Sequence, residues 1–309
     1  MNKITQYKLI VYVSILLTLL YNISFFQNVI NTYTLNGSNI LFIFSLVILI
    51  TTLSIILLSI FSSKYTLKPI LITIIVVSAF ANYFMNTYHI VIDDSMIRNS
   101  LQTNLNESLD LFSLELVINI FLLAVVPSFV IYKLNIKYGS YRSELFSKIK
   151  TIVLSSVLLA IMLMSFSQHY ATFFREHKSL RYYVNPTYWI YSIGKYINLT
   201  LNSGPIIVKK LTNSATITRE ENKPHKLIIM VVGEAARADH FSLNDYEKET
   251  NPLLKNEDII NLSNTYSCGT STAVSVPCMF SIFNKDNYSY KKGITNENVL
   301  DVLHATQKI

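Results

Sequence analysis

The sequence predicts a five-helix transmembrane domain followed by the first part of an α/β domain that lies outside the membrane. Of the 309 residues, 51% are hydrophobic and only 15% are charged. This is far more hydrocarbon than one soluble core of this length requires. The apolar surplus lies in the first half of the chain. We therefore expect two domains, one embedded in lipid and one in water.

Five stretches within residues 1–168 are apolar and long enough to cross a hydrocarbon core, which takes roughly 20 helical residues. The first stretch could instead be a cleaved signal peptide. However, no cleavage site with small residues follows Phe25, and four further spans come after it. We therefore expect a retained helix. The predicted spans run from Leu9 to Phe26, Asn39 to Phe61, Pro69 to Met85, Leu114 to Tyr132 and Thr151 to Ser167.

The distribution of Lys and Arg predicts the orientation of these spans, because short cytoplasmic loops are enriched in both residues. With a cytoplasmic amino terminus, most loop cations fall on the cytoplasmic side, and the opposite loops are mainly acidic. Three cations just after the fifth span dilute this bias without reversing it. The chain after about residue 168 is then expected in the periplasm of a bacterium, beyond a multi-pass inner-membrane domain. The cytoplasmic cations are Lys3, Lys8, Lys64, Lys68, Lys133, Lys137, Arg142, Lys148 and Lys150.

The loop after the third span contains a predicted helix at about residues 95–109, since this stretch has no Pro or Gly. Asn99, Thr103 and Glu107 are spaced at i, i+4 and i+8 and would share one helix face. One interpretation is a solvated polar face. The other is a lipid head-group site, in which Glu107 attracts an ammonium group while Asn99 and Thr103 bind a phosphate or glycerol.

Residues 169–226 are predicted to form a membrane-interface bridge and a linker. Aromatic side chains alternate with Arg175, Lys178 and Arg181, a mixture typical of the membrane interface. Pro186 is expected to end or bend the helix that precedes it. The polar stretch from about Asn202 to Lys226 is expected to be a flexible linker.

The α/β domain begins with a continuous apolar run at residues 227–234 that ends in Gly233 and Glu234. Such a run predicts a buried central strand of a parallel sheet. Ligands bind at the carboxyl ends of such strands, which would place Glu234 in an active-site crevice. A surface carboxylate at the end of a strand is the alternative.

Residues 268–280 resemble a loop that leads into the amino terminus of a helix, where N–H groups can bind an oxyanion. A hydroxyl here could be an activated nucleophile or only a helix cap. Cys268 and Cys278 are the two cysteines of the chain, and a disulfide is favoured in an oxidising compartment. A metal site is the alternative, but the cysteine spacing is wrong for a zinc knuckle.

Three ordered motifs together carry a specific resemblance. Residues 233–244, Glu249-Thr250-Asn251-Pro252 and residues 267–281 closely resemble the phosphoethanolamine transferases that modify lipid A, including the mobile colistin-resistance enzymes. The similarity extends upstream through residues 173–178, residues 184–186 and the surroundings of Asn99. It covers essentially the whole chain.

The resemblance implies a fold and a set of functional residues. Residues 227–309 would be the first part of a catalytic domain of the alkaline phosphatase/sulfatase type. Thr272 would be the nucleophile and a zinc ligand, with Glu234 as a second ligand and a disulfide between Cys268 and Cys278. Asn99, Thr103 and Glu107 would receive the head group of phosphatidylethanolamine.

The implied reaction moves phosphoethanolamine from phosphatidylethanolamine to lipid A through a covalent intermediate on Thr272. The product carries less negative charge, so cationic peptides such as polymyxins and colistin should bind it less well. Phosphatidylethanolamine, lipid A and membrane lipids are the expected partners. No nucleic-acid partner is expected.

The chain departs from the family pattern in three places. Ala235 stands where the family has Thr, and Asp245 stands in a turn that usually uses Gly. The remaining zinc ligands of the family would lie beyond Ile309, and neither His240 nor His304 is expected to replace them. We therefore expect this chain to be the opening part of a longer enzyme, inactive alone and protease-sensitive after about Lys226.

Two rival hypotheses remain from the sequence. A glycerol-phosphate transferase of the same superfamily also has five spans and a threonine nucleophile, but the paired cysteines argue against it. A non-catalytic membrane protein is the other alternative.

Overall fold

The computed structural model describes residues 4–103, 105–213, 215–216, 228–233 and 236–306. The chain forms two compact units, Met1–Asn202 and Ser203–Ile309. The first unit includes residues 169–201, which the sequence analysis assigned to an interface bridge. The second unit begins within the predicted linker.

The first unit is built almost entirely of helices, as its long apolar runs predict. A π-helical turn over Phe121–Val125 joins α7 to α8, and a 3-10 turn over Lys178–Tyr183 lies between α10 and α11. Strands β1 (Ile4–Thr5) and β2 (Ile136–Lys137) pair in parallel. The helices are α1 (Gln6–Leu20), α2 (Ile23–Thr32), α3 (Gly37–Phe61), α4 (Leu67–Tyr88), α5 (Asp94–Gln102), α6 (Leu105–Asp110), α7 (Leu114–Ile120), α8 (Val126–Lys133), α9 (Tyr141–Ser165), α10 (Ser167–Glu176) and α11 (Thr187–Leu201).

Four continuous helical segments of the described chain are long and apolar enough to cross a membrane: α3, α4, Leu114–Lys133 and α9. The first predicted span is instead a pair, because α1 and α2 meet at an angle of 53°. The single helix predicted from Leu9 to Phe26 is therefore wrong, and five spans result only if this pair crosses as one. At the break, the Asn22 side-chain amide donates to the Leu17 carbonyl (2.9 Å). The same carbonyl also accepts from the N–H of Tyr21 (3.2 Å), so the Asn22 amide adds a second donor at the end of α1.

Pro127 also lies within a predicted span, but there the helical segment continues through a π-helical turn. Proline has no N–H and cannot donate to the carbonyl of Leu123, four residues earlier. The π-helical turn lies at this point, and the hydroxyl of Tyr21 donates to the Leu123 carbonyl. A buried side chain from the end of α1 thus supplies a donor where the proline cannot.

A buried amide network attaches α11 to the spans. Asn185, which is fully buried, exchanges two hydrogen bonds of 2.8 Å with Asn22. Its side chain donates to the Ser78 carbonyl (2.9 Å) and accepts from Trp189 Nε1 (3.0 Å). Polar groups away from water need such partners. The network therefore packs residues 185–201 into the first unit.

Two lysines satisfy carbonyl groups at helix carboxyl ends. Lys148 Nζ donates to the carbonyls of Ile60 and Ser62 (2.7 and 3.3 Å) at the end of α3. Lys68 Nζ donates to the Tyr132 carbonyl (2.7 Å) at the end of α8. Cations are favourable at these negative dipole ends. Both helices therefore end beside cations, and the orientation of the spans stays a prediction.

The second unit is mostly irregular. Its helices are α12 (Thr272–Met279), α13 (Tyr290–Thr295) and α14 (Val299–Thr306), and 3-10 turns lie at Ala238–His240, Ser242–Asn244 and Leu254–Asn256. The predicted buried strand is wrong for residues 228–233, where no strand forms and Ile228 and Val231 are 86% and 85% exposed. A central strand needs hydrogen-bonded neighbours on both sides. The described residues provide none beside this segment.

Part of the predicted flexible linker is hydrogen-bonded. The N–H of Lys209 donates to the Thr295 carbonyl (2.9 Å), and the Lys209 carbonyl accepts from the N–H of Glu297 (3.0 Å). The N–H of Leu211 donates to the Glu297 carboxylate (2.9 Å). Lys209 and Leu211 therefore have hydrogen-bond partners in the second unit, while residues 214 and 217–226 lie outside the described chain, and the flexibility of the linker stays a prediction.

Candidate active site and head-group segment

Thr272, the predicted nucleophile, is the first residue of α12 and is exposed. Ser271 adopts the extended conformation of a helix cap, and its carbonyl accepts from the N–H groups of Val274 and Ser275 (3.0 and 2.9 Å). The predicted loop leading into a helix amino terminus is confirmed. At this end the helix dipole is positive and the first N–H groups point out of the helix, which favours a bound oxyanion.

Gly269 holds the loop close to the helix. A Cβ added at this position would lie 2.9 Å from Cγ1 of Val274, so a larger residue would push the loop away from α12. The Ser267 hydroxyl donates to the Gly269 carbonyl (2.7 Å) and closes a tight turn just before it. The residue identities around Thr272 therefore fix the local path of the loop.

Cys268 and Cys278 form a disulfide, as the sequence analysis favoured. Their Cα atoms are 6.3 Å apart, within the usual range of roughly 4.4 to 6.8 Å. Cys278 is buried near the end of α12. The bridge encloses Thr272 in a covalently closed loop and ties the start of this loop to the far end of α12.

The described residues do not by themselves fit a zinc site. Glu234, the other predicted ligand in this chain, lies outside the described residues. In the described part of the chain, no group of three His, Cys, Asp or Glu side chains comes together as a metal site requires. The roles of Thr272 and Glu234 as metal ligands stay predictions.

Arg237, Asp239 and His240 form a charged cluster in the second unit. Arg237 donates two hydrogen bonds to Asp239 (3.0 and 2.6 Å), and His240 Nδ1 lies 3.0 Å from the same carboxylate. The hydrogen bond from Arg237, assisted by that from His240, lowers the pKa of Asp239 from 3.8 to about 2. The His240 carbonyl accepts from the Thr250 hydroxyl (2.8 Å). His240 thus has hydrogen-bond partners on both its ring and its backbone.

Asp245 occupies the turn in which the family pattern has Gly. Its φ of 67° and ψ of 25° lie in the left-handed region, which glycine adopts without steric cost. The sequence analysis identified this position by its departure from the family pattern. The structure shows that the turn does require an unusual backbone conformation.

The predicted head-group segment is not one helix. It consists of α5 and α6, and Thr103 after α5 has an extended backbone with ψ of 133°. Its N–H and its hydroxyl both donate to the Asn99 carbonyl (2.8 and 2.7 Å). This local bonding competes with continuation of the helix. The prediction that Asn99, Thr103 and Glu107 share one helix face is therefore wrong, and the side chain of Glu107 lies outside the described residues.

An ion pair holds the start of α5 against α11. Lys195 Nζ lies 2.8 Å from Asp94, and Asp93 caps α5 by accepting from the N–H of Met96 (2.8 Å). The sequence analysis missed this pair. Its members are 101 residues apart, so no local spacing could have indicated the contact.

Comparisons with known proteins agree with the resemblance. The family model described as phosphoethanolamine transferase EptA/EptB matches residues 50–201, and the sulfatase model matches residues 226–307. Phosphatidylethanolamine transferase Mcr-1 of Escherichia coli is 36% identical over 98% of this chain and 57% of its own length. Kdo(2)-lipid A phosphoethanolamine 7''-transferase of Salmonella typhimurium is 25% identical over 83% of this chain and 48% of its own length.

A solved structure also matches. The integral membrane protein lipooligosaccharide phosphoethanolamine transferase A (EptA) of Neisseria meningitidis superposes with a TM-score of 0.88 at 29% identity. The match covers 99% of this chain and 57% of that protein. This chain thus spans about half the length of the relatives it matches.

Proposed function

Because the chain belongs to the phosphoethanolamine transferase family, we propose that it contributes to the transfer of phosphoethanolamine from phosphatidylethanolamine to lipid A. The observation that carries the proposal is the position of Thr272. Thr272 is an exposed residue at the amino end of α12, inside a loop that the disulfide closes. An accessible hydroxyl beside helix N–H groups suits nucleophilic attack on a phosphate.

We propose two successive displacements at one phosphorus atom. In the first, the Thr272 oxygen bonds to the donor phosphorus, and the bond from phosphorus to the diacylglycerol oxygen breaks. The threonine hydroxyl loses its proton and the departing diacylglycerol gains one. In the second, a phosphate oxygen of lipid A bonds to the same phosphorus, the bond from phosphorus to the Thr272 oxygen breaks, and this oxygen takes up the proton that the lipid A phosphate or water supplies. The amino end of α12 favours the negative charge that develops on the phosphoryl oxygens.

The donor head group is proposed to bind at Asn99, Thr103 and Glu107. The side-chain amide of Asn99 can donate to a phosphate oxygen, and the carboxylate of Glu107 carries the charge that an ammonium group requires. The Thr103 hydroxyl already donates to the Asn99 carbonyl, so it contributes its lone pairs as an acceptor. The polar segment then recognises both ends of a zwitterionic head group.

Metal dependence is suggested by the sulfatase family model, and we propose zinc as the metal and Glu234 and Thr272 as two of its ligands. Carboxylate and hydroxyl oxygens bind several divalent metals, so the identity of the ion needs a direct measurement. Metal content by mass spectrometry, compared between the wild type and Glu234→Gln, tests the proposal. Equal zinc content in both proteins would contradict the role of Glu234.

Mass analysis of lipid A tests the function. A polymyxin-susceptible bacterium would express the full reading frame to which this chain belongs, in the wild-type form and as Thr272→Ala. We expect a phosphoethanolamine adduct and lower polymyxin susceptibility with the wild type, and loss of both with Thr272→Ala. Thr265→Ala, the same change at an exposed threonine whose hydroxyl donates to the Leu262 carbonyl, is the matched control.

Each other outcome has a defined meaning. An adduct formed by Thr272→Ala would refute the nucleophile. A wild type that adds no group to lipid A would refute the transfer itself, and an adduct with the mass of glycerol phosphate would identify a different donor.

We also propose that the protein resides in the bacterial inner membrane, with the second unit in the periplasm. Cations at the ends of α3 and α8 support this orientation, because the cytoplasmic side retains Lys and Arg.

A further inference from the structure

The first unit contains a cavity of about 510 Å³, a volume within the roughly 300 to 1,000 Å³ of small-molecule sites. Its apolar walls include Leu46, Leu49 and Leu53 of α3, together with Phe25 of α2 and Phe173 of α10. All of these side chains are buried or half-buried. These apolar side chains are packed within the helical unit, whereas the part of the cavity lined by Phe174 and Tyr191 is open to the surface.

The rest of the cavity lining is basic and aromatic. Arg181 and Lys195 line it together with the tyrosines of α11 and of the turn before it. The Arg181 guanidinium lies 5.3 Å from the centre of the Tyr182 ring. Lys195 is paired with Asp94, whereas no carboxylate of the described residues forms an ion pair with Arg181. This part of the cavity thus has one cation without a counter-charge.

The apolar walls of the cavity extend along α3. Leu180 and Tyr183, in the 3-10 turn that carries Arg181, belong to the same apolar cluster as Leu46 of α3. From Leu46 to Leu53 the lining of α3 covers roughly 10 Å, at about 1.5 Å per residue. A hydrocarbon core is about 30 Å thick. The cavity therefore has room for a segment of an acyl chain, with Arg181 in its lining.

We propose that this cavity binds one acyl chain of a glycerophospholipid and that Arg181 binds its phosphodiester. A phosphodiester carries one negative charge, which matches the one cation without a counter-charge. The inference rests on the proposed function, in which a phospholipid is the donor. The Lys195–Asp94 pair joins this part of the cavity to α5, which carries Asn99. Tail binding and the proposed head-group segment would thus be connected within the first unit.

Photo-crosslinking tests the apolar part of the site. The purified full chain would be reconstituted in vesicles of phosphatidylethanolamine and phosphatidylglycerol that contain a phospholipid with a diazirine on its acyl chain. After irradiation, mass spectrometry should find adducts concentrated between residues 46 and 53 of α3. Leu53→Trp fills the cavity and should remove most of this labelling, and the milder Leu53→Phe should remove part of it. Leu154→Trp, at a 66% exposed position of α9, should leave it unchanged.

A second pair of probes tests the role of Arg181. Arg181→Gln should lower labelling by the phospholipid probe but not by a diacylglycerol probe with the same chain, because the latter has no phosphate. Equal effects on both probes would overturn the assignment of the phosphate to Arg181. Labelling that spreads evenly over the lipid-facing helices, or that persists in Leu53→Trp, would overturn the acyl-chain site.

The occupant can be distinguished as well. If excess lipid A abolishes labelling of α3 while excess phospholipid does not, the cavity binds the acceptor and the proposal is wrong. Photo-labelling of α3 is measured separately from phosphoethanolamine transfer to lipid A. Specific labelling in a protein that does not modify lipid A would refute the proposed function alone, whereas transfer without specific labelling would refute the cavity site alone.

Discussion

The two units of the chain differ in how they satisfy their backbone and bury their side chains. In the first unit, long helices pair their own N–H and carbonyl groups, and interlocking side chains build a buried core around α1, α3 and α4. In the described part of the second unit, Cys278 is the one buried residue. Helices close their hydrogen bonds within a few residues, whereas a sheet depends on strands distant in sequence. Local sequence therefore predicts more of the structure of the helical first unit than of the second unit.

The largest expected effect is at the amide network of the first unit. Asn185→Ala removes two buried hydrogen bonds, leaves a cavity, and should lower the free energy of unfolding by about 4 kcal/mol. Trp189 is the single tryptophan of the chain and bonds to Asn185, so its fluorescence reports directly on this unit during thermal unfolding. Asn202→Ala, at an exposed asparagine, should change the midpoint little. Equal midpoints for the two variants would show that the network does not hold α11.

The disulfide should have the next largest effect, and on the second unit alone. Cys268→Ser opens the closed loop and should lower the free energy of unfolding of the second unit by about 3 kcal/mol on the chain-entropy estimate. We expect faster proteolysis between residues 268 and 278 with unchanged Trp189 fluorescence. Reductant should produce the same cleavage in the wild type and have no further effect on the variant. A simultaneous change in Trp189 fluorescence would show that loss of the disulfide also affects the first unit.

A smaller effect is expected at the left-handed turn. Asp245→Gly removes the steric cost of a positive φ and should stabilise the second unit by roughly 0.5 to 1 kcal/mol. Protease resistance in increasing urea measures this change. Asp258→Gly is the control, because Asp258 lies in the described chain and does not have a positive φ. Stabilisation by both variants would indicate a general effect of losing a carboxylate rather than relief at the turn.

The smallest effect is expected from the charged cluster at Asp239. Its pKa of about 2 in the folded chain lies below the ordinary 3.8, so its interactions stabilise the fold above the ordinary value and are lost as the pH falls towards 2. The Asp239 side chain is 59% exposed, so solvent and salt should screen the contribution. Wild type and Asp239→Asn should differ in urea midpoint at about pH 5 and converge near pH 2. A difference that persists at the lower pH would show that charge is not its source.

Several elements of the fold follow from local patterns alone. Continuous apolar runs predicted the helices that became α3, α4 and α9. The hydroxyl-rich loop before an apolar run predicted a helix that begins at Thr272. Confinement of both cysteines to the predicted outside domain indicated the disulfide that the structure contains. The helices depend on residues that are close in sequence, and the disulfide depends on the oxidising chemistry of the compartment.

Other elements required the tertiary structure. The break at Asn22 depends on hydrogen bonds to Leu17 and Asn185, and the end of α5 depends on how Thr103 bonds to Asn99. No periodic pattern of apolar residues predicts the break at Asn22 or the end of α5. The strand predicted at residues 228–233 is absent for a different reason. Its apolar pattern is clear, but the described residues place no hydrogen-bonded neighbouring strand beside it.

The sequence by itself determined the helical membrane domain, the loop that carries Thr272 and the family resemblance, because helix formation and short motifs depend on residues close in the chain. Only the tertiary structure showed the Lys195–Asp94 pair, the buried amide network and the cavity whose lining includes Arg181. These features join residues about a hundred or more positions apart. Their existence depends on how the helices pack, and packing is a property of the whole unit rather than of any segment.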